Sequence, residues 1–386
     1  MGLISTSDEV FARRALELAA KSFGLASPNP HVGALLVSAE GRVIGQGFHT
    51  YQGLKHAEIL ALEVAGGRAR GATLYINLEP CCHQGRTGPC AEALIRAGIA
   101  RVVASMPDPN PLVSGRGFAR LREAGIQVTA GILEEEARRL NDAFAKFIRS
   151  RLPLVALKAA MTLDGKIAPP RGEASASPKP AGEPRGGWIT GEKAREHVHQ
   201  LRHRHDAILV GIGTVVADNP LLTDRSGLPR SRPLLRVVLD SRLRLPLESR
   251  LVETAESGVL VFCSLAEEEK KKRLEERGIQ VEPLPPAADG RPDLAEVCRR
   301  LGEREITSVM IEGGAAVNGA ALDSGVADKV WFYYSPRILS GTGSVPFAAG
   351  RGFAKISDAA HVKSLRLDRL GEDILVEGYL RDPYRE

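Results

Sequence analysis

The sequence predicts an α/β fold in two domains, and three observations carry that expectation. Short apolar runs rich in Val, Ile and Leu alternate with segments of helical period, the pattern of sheets layered with helices. At 386 residues the chain is longer than one ordinary core needs. Leu152-Pro153 then separates a helix-forming segment from a fresh apolar run, so domains over 1–150 and 151–386 are expected.

In the first domain, Thr6 with Glu9 three residues later is a capping box, and Val10, Phe11, Leu16 and Leu18 predict an amphipathic helix to about Ser22. Asn29-Pro30-His31-Val32-Gly33 reads as a turn into a strand over 34–37, which the Glu40-Gly41 turn pairs with 43–45 as a hairpin. Helices are expected over 56–65, 91–97, 118–124 and 134–147, the last one long and acidic in its first turn. Strands are expected over 73–77, 102–104 and 126–128.

In the second domain a strand begins at 154–159. Residues 168–187 are dominated by Pro, Gly, Ser and Ala without apolar period, and read as a flexible loop. Thr190 is expected to cap a helix to Arg204, followed by a strand over 207–211 and a loop over 213–220. Further strands fall at 236–239, 259–262, 308–311, 329–334 and 373–379, with a charged helix over 267–277. Glu312-Gly313-Gly314 leads into a helix from Ala315. Backbone amides after a glycine pair at a helix start suit a phosphate, although tight turns use glycine pairs as often.

Composition narrows the function. Hydrophobic residues make up 43% and charged residues 26%, an ordinary globular balance. The net charge of +5 is spread over both halves, and aromatic residues are 5%, so neither the basic stripe nor the stacking platforms of a nucleic-acid binder are present. No apolar run reaches the roughly twenty residues of a membrane span, and the N-terminus lacks a secretory pattern. Five cysteines, an odd count, fit a reduced cytoplasmic interior better than a disulfide framework.

The chemistry concentrates between His56 and Cys90. His56-Ala57-Glu58 precedes Glu79-Pro80-Cys81-Cys82-His83, and Gly88-Pro89-Cys90 follows. A His, two cysteines and a carboxylate two residues beyond the His are the parts of zinc-dependent base deamination. There the metal ionises a water and a non-ligating Glu moves the proton. A lone His or Cys is usually a packing residue; this combination, on the expected strand and helix ends, is not. Pro80 delivers Cys81 to a strand end, and Pro89 places Cys90 at a helix start, where the helix dipole favours thiolate. Adjacent cysteines diverge in an extended chain, so Cys81 and not Cys82 is expected to grip the ion with His56 and Cys90. Asn29 is either a base or ribose contact or a turn former.

With these motifs, and with Asp108-Pro109-Asn110-Pro111, Leu163-Asp164-Gly165, Trp188-Ile189-Thr190, Thr214 to Pro220 and Asp240-Ser241, the chain resembles the bifunctional deaminase-reductases of riboflavin biosynthesis over nearly its whole length. The resemblance implies an N-terminal cytidine-deaminase-like three-layer domain and a C-terminal dihydrofolate-reductase-like α/β domain. It implies zinc on His56, Cys81 and Cys90, with Glu58 as the catalytic proton shuttle. The eight-residue gap between the cysteines separates this family from deaminases that use Pro-Cys-x-x-Cys. NADPH would be lined by Ala160, Trp188, Thr214, Asp218, Ser241 and the segment Gly314, Ala315, Ala316, Val317, Asn318, Gly319 and Ala320. Substrate would meet Gly186, Arg202, Leu222, Arg225 and Glu312, the arginines suiting its phosphate. The chain departs from the family pattern in its Gly at 186, where Ser is usual, and in a longer loop before the Trp. The implied partners are a small ribosylaminopyrimidine phosphate and further copies of the chain, with neither nucleic acid nor membrane.

Two other readings compete. A nucleic-acid-editing deaminase with a C-terminal RNA-binding module is opposed by the flat charge and few aromatics. A purely structural zinc needs a fourth protein ligand, which Cys82 or His83 would have to supply.

Overall fold

The computed structural model describes residues 6–84, 88–170 and 187–385. They form two compact units. The first ends at Arg151 and takes in Pro229–Ser231; the second comprises Leu152–Leu228 and Arg232–Arg385.

The first unit runs α1 (Thr6–Ala20), β1 (Gly33–Val37), β2 (Val43–Phe48), α2 (Ala57–Ala65), β3 (Thr73–Leu78), α3 (Cys90–Ala97), β4 (Arg101–Met106), α4 (Arg116–Glu123), β5 (Gln127–Ala130), α5 (Glu134–Leu140) and α6 (Asp142–Ser150). Its sheet has the order β2-β1-β3-β4-β5, with β1 antiparallel to β2 and β3 and the last three strands parallel. α1 and α5 cover one face, and α2 and α3 lie together on the other, giving three layers. Two glycines let helix backbone rest on strand backbone. A Cβ on Gly33 would lie 2.4 Å from Ala15 O, and one on Gly45 would lie 2.1 Å from Ala61 O.

Two expectations for this unit change. Val10 is exposed; α1 buries Ala12, Ala15, Leu18 and Ala19 instead. Its first turn also does more than start a helix, because Asp8 is buried and takes both Arg101 Nη1 and Nη2 at 2.9 Å and the Tyr75 hydroxyl at 2.8 Å. The expected long helix over 134–147 is broken at Asn141. Its buried side chain accepts from His31 N at 2.7 Å and donates to His31 O at 3.0 Å, a tertiary demand that outweighs helical continuity.

The second unit runs β6 (Leu154–Thr162), β7 (Lys166–Ala168), α7 (Glu192–Arg204), β8 (Ala207–Gly211), α8 (Ile212–Asp218), β9 (Leu235–Leu239), α9 (Arg250–Glu253), β10 (Val259–Cys263), α10 (Glu268–Glu275), β11 (Gln280–Pro283), α11 (Leu294–Glu303), β12 (Ser308–Ile311), α12 (Ala315–Asp323), β13 (Lys329–Ser335), β14 (Val345–Pro346), β15 (Lys363–Leu370) and β16 (Asp373–Tyr379). Nine strands form one sheet in the order β11-β10-β9-β8-β12-β6-β13-β16-β15, and β7 pairs with β14. The strands from β11 to β13 are parallel; β16 and β15 close the sheet antiparallel. In β8, Ile208 and Val210 join the core that holds Val198 and Leu201 of α7. Ala207 and Leu209 join the opposite core with Leu301 of α11 and Ala321 of α12. Burial on both faces is why this strand reads as an unbroken apolar run.

Here the expected loop over 213–220 is largely helix, since α8 reaches Asp218 and only then turns through Asn219 at a φ of 42°. α7 is capped not by Thr190 but at Gly191, whose N–H donates to Asp373 Oδ2 at 2.8 Å. Most of the expected 168–187 loop lies outside the described residues, although Ala168 itself pairs with Val345.

Candidate active sites

The first unit builds a cluster at the C-terminal end of β3. Pro80 has no N–H to continue a ladder, so the chain leaves the sheet and carries Cys81 outward. Pro89 precedes α3 and sets Cys90 at that helix's first position, while His56 occupies the cap of α2. One nitrogen of His56 and the sulfurs of Cys81 and Cys90 lie within 4.8 Å of one another. His56 Nδ1 is 3.1 Å from Cys90 Sγ and 3.5 Å from Cys81 Sγ, and the Cys90 N–H donates to Cys81 Sγ at 3.3 Å.

Electrostatics favour ionised sulfur at Cys81. The hydrogen bond from the Cys90 thiol, with His56 close by, holds the Cys81 thiol far below its usual range, while the same bond and burial push Cys90 up. Contact with Cys81 raises His56. Glu58, buried in the first turn of α2, sits against the Cys90 thiol; burial pushes its carboxyl up to about 7, and the Cys81 charge adds to it. An imidazole nitrogen and two sulfurs make the three-ligand set of a catalytic zinc, with the fourth position left to water or substrate, so the residues fit the ion. Among the described residues no other His, Cys, Asp and Glu group of this kind occurs, and Cys82 is not part of it.

Glu79 and Asp108 stand in the motifs quoted above, but their supporting contacts were not legible in advance. The Glu79 carboxylate accepts from Asp108 N at 3.1 Å, Gly115 N at 2.8 Å and Phe118 N at 3.1 Å, tying the 108–118 segment to the residue before Pro80. A Cβ on Gly117 would lie 2.0 Å from Pro80 O. Burial pushes Asp108 up to about 7, with Glu79, Cys81 and Glu58 adding to it. Asn77 and Asn141 both donate to His31 O, which fixes the turn that carries Asn29. His49 bonds Lys55 O through Nδ1 at 2.9 Å, so its Nε2 accepts from Asn29 Nδ2 at 2.9 Å. That leaves Asn29 Oδ1 as the acceptor open to a ligand. The signals available in sequence were Asn77 at a strand end and Asp108 between two prolines.

The second unit gathers its expected residues at the C-terminal ends of parallel strands, where open α/β sheets bind ligands. Ala160 is near the end of β6, Ser241 just beyond β9, Thr214 and Asp218 on α8 directly after β8, and Glu312 directly after β12. Gly314 caps α12, which carries Ala315, Ala316, Val317, Asn318, Gly319 and Ala320. Gly211 N donates to Gly313 O at 3.1 Å, and a Cβ on Gly314 would lie 3.8 Å from Thr214 Oγ1, so the starts of α8 and α12 stand side by side. Two of the expected residues are engaged within the chain: Asn318 Nδ2 donates to Phe347 O at 2.8 Å, and Gly319 packs on Ala349 O, which a Cβ would approach to 2.0 Å. Trp188 is 44% exposed and stacks with the Arg195 guanidinium at 4.9 Å. Leu222 is buried, and Gly186 lies outside the described residues.

Arg202 and Glu312 meet in a bidentate pair, Nε to Oε1 at 2.7 Å and Nη2 to Oε2 at 2.9 Å, with Lys158 Nζ at 3.6 Å from Oε2. Burial alone would raise Glu312, but Arg202 and Lys158 overcome it and hold the carboxyl at about 2. Arg225 is exposed at its surface and pairs with no carboxylate among the described residues, while partial desolvation first, then the nearby Arg202 and Arg250, lower it. The crevice therefore keeps cationic capacity for an anion. Lys158 and His199, both at this place, were not singled out in sequence.

Comparison with known proteins gives the class first. Residues 5–106 match the cytidine and deoxycytidylate deaminase zinc-binding region, and residues 153–376 match the RibD C-terminal domain, so a zinc deaminase and a reductase share one chain. The chain belongs to the family of riboflavin biosynthesis protein RibD. It is 39% identical over 378 residues to that protein from Actinobacillus pleuropneumoniae, covering 98% of this chain and 96% of the relative. Among solved structures, Acinetobacter baumannii RibD aligns with a TM-score of 0.80 at 36% identity, over 97% of this chain and 98% of that one. A Thermotoga maritima structure titled as a diaminohydroxyphosphoribosylaminopyrimidine deaminase/5-amino-6-(5-phosphoribosylamino)uracil reductase aligns with a TM-score of 0.79 at 37% identity, again over 97% and 98%. The protein is a bifunctional deaminase and reductase of riboflavin biosynthesis, with zinc and NADPH as its cofactors.

Proposed function

We propose that this chain deaminates 2,5-diamino-6-ribosylamino-pyrimidinone 5'-phosphate in its first unit and reduces the ribosyl group to ribityl in its second. The product is 5-amino-6-ribitylamino-uracil 5'-phosphate. The observation that carries this reading is the convergence of His56, Cys81 and Cys90 beside the buried carboxyl of Glu58.

His56, Cys81 and Cys90 would hold the zinc. When bound, zinc supplies a water acidic enough to ionise near neutral pH. Glu58 takes up a proton from the water and hands it to the departing amino group, so that ammonia leaves as the water oxygen bonds to the ring carbon. Asn29 orients the substrate through Oδ1, its amide nitrogen being committed to His49. In the second unit NADPH supplies a hydride. The adjoining starts of α8, which carries Thr214, and of α12, capped by Gly314, would hold that cofactor with Ser241, Ala160 and Trp188, and backbone amides there suit its phosphates. Arg225, with Leu222 and the Arg202–Glu312 pair, positions the ribosyl phosphate so that its opened anomeric carbon receives the hydride.

The chain acts on a small molecule. We place it in the cytoplasm as a homo-oligomer. All five cysteines are unpaired thiols, and no helix among the described residues is long and apolar enough to cross a membrane. Leu365, Leu367 and Ile374 leave an exposed apolar stripe at the β15–β16 edge of the large sheet, suited to a second copy. The reading is tested by supplying the diaminopyrimidine phosphate and following ammonia release and NADPH oxidation together. Both are expected at equal stoichiometry; ammonia without NADPH oxidation would refute the second step.

A further inference from the structure

α7 carries His199 three residues before Arg202 and four before His203, so His199 neighbours both on the helix surface. Both of these neighbours have fixed partners. Arg202 is held by Glu312 and donates Nη1 to Thr223 O at 3.1 Å, and His203 Nδ1 bonds Asp224 Oδ2 at 2.8 Å. Asp224 Oδ1 also accepts from Ser226 N at 2.9 Å, so the segment on either side of Arg225 is pinned to α7.

His199 differs. Its Nδ1 is closed off from solvent without a hydrogen bond, and the ring makes no hydrogen bond to the described residues. The groups acting on this ring are Arg202, Arg225, Glu312 and Asp224. Burial first, then the two guanidinium groups, hold the imidazole down to about 4, so it is neutral at physiological pH and carries one N–H and one bare nitrogen. A buried N–H with no acceptor is rarer than a buried unpaired acceptor, so the closed-off Nδ1 is the bare nitrogen and the proton sits on Nε2. A donor without a partner thus stands among the cations that remain for an anion.

We propose that His199 is a specificity-determining contact of the reductase site, donating Nε2–H to a phosphate oxygen of the ribosyl substrate alongside Arg225. This rests on the assignment of the Arg202–Arg225 region to the substrate phosphate. A hydrogen bond to an ionised group stabilises binding more than a neutral one, so losing it should weaken binding by about tenfold or more.

The test is steady-state NADPH oxidation with the supplied deaminated intermediate, in its phosphorylated and dephosphorylated forms. His199→Phe should raise KM for the phosphorylated form by about tenfold and leave KM for the dephosphorylated form within about twofold, erasing most of the phosphate preference. His199→Gln, whose amide reaches the Nε2 position, should keep that preference, and His199→Ala should repeat the loss without the bulk of Phe. NADPH affinity, titrated separately, should be the same in all of them. Arg225→Gln serves as the control. If it abolishes the preference while His199→Phe and His199→Ala keep it, the role of His199 is overturned. If Arg225→Gln keeps it as well, the phosphate assignment itself is wrong.

Discussion

Replacing Glu312 by Gln strips the countercharge from two buried cations in the second unit, Arg202 and Lys158. The Arg202, Glu312 and Lys158 side chains are 12%, 7% and 14% exposed, so water does little to replace what is lost. The wild-type carboxyl is held at about 2 against an ordinary 4.5, a difference corresponding to about 3 kcal/mol of favourable interaction with the ionised form. Removing one partner of a buried pair typically costs about 3–5 kcal/mol, which agrees. Both tryptophans of the chain, Trp188 and Trp331, belong to the second unit, so intrinsic tryptophan fluorescence in a urea titration follows that unit alone. Glu312→Gln should lower its stability at pH 7 by about 3 kcal/mol. The pH dependence has a definite sign. Because the folded carboxyl titrates below the unfolded one, its contribution is complete above pH 4.5 and is lost as pH falls toward 2. The variant should lack that component of acid sensitivity. A loss under about 1 kcal/mol, or an unchanged acid profile, would refute the pairing as the dominant interaction.

Three further outcomes follow from the geometry. Cys81→Ser and Cys90→Ser should each lose the single zinc and ammonia release, while Cys82→Ser keeps both, as metal analysis of the purified proteins will show. Gly117→Ala forces a Cβ against Pro80 O and should displace Cys81, lowering deamination by about tenfold to a hundredfold, with NADPH oxidation of supplied intermediate unaffected. Asn141→Ala leaves the His31 N–H without its partner and should lower the stability of the first unit by about 2 kcal/mol in denaturant titration followed by circular dichroism.

Much of this was legible because local signals were strong. Pro80 and Pro89 mark where a strand stops and a helix starts, and those two positions, with the cap of α2, are what bring His56, Cys81 and Cys90 together. α8 was not legible, since Gly213, Thr214, Val215 and Val216 are poor helix formers and only packing of Ile212 and Val215 into the core makes them helical. The break at Asn141 was hidden for a different reason: its partner, His31, is 110 residues away. The same distance separates Arg202 from Glu312, so each could be expected near substrate but their mutual pairing could not. Leu163-Asp164-Gly165, read as a family signature, proves to be a structural turn in which Asp164 accepts from Thr162 Oγ1, Leu339 N and Ser340 N.

The central claim is that one chain holds two chemically separate sites, and Glu58→Gln tests it most directly. The substitution keeps size and leaves His56, Cys81 and Cys90 in place, but its amide cannot carry a proton between water and amine. Ammonia release from the diaminopyrimidine phosphate should fall by at least about a hundredfold, with zinc content unchanged. NADPH oxidation by the already deaminated intermediate should continue at the wild-type rate, and mixing with Asp218→Ala, impaired in reduction alone, should restore the complete conversion. A folded, zinc-loaded Glu58→Gln protein that cannot reduce the supplied intermediate would contradict the account.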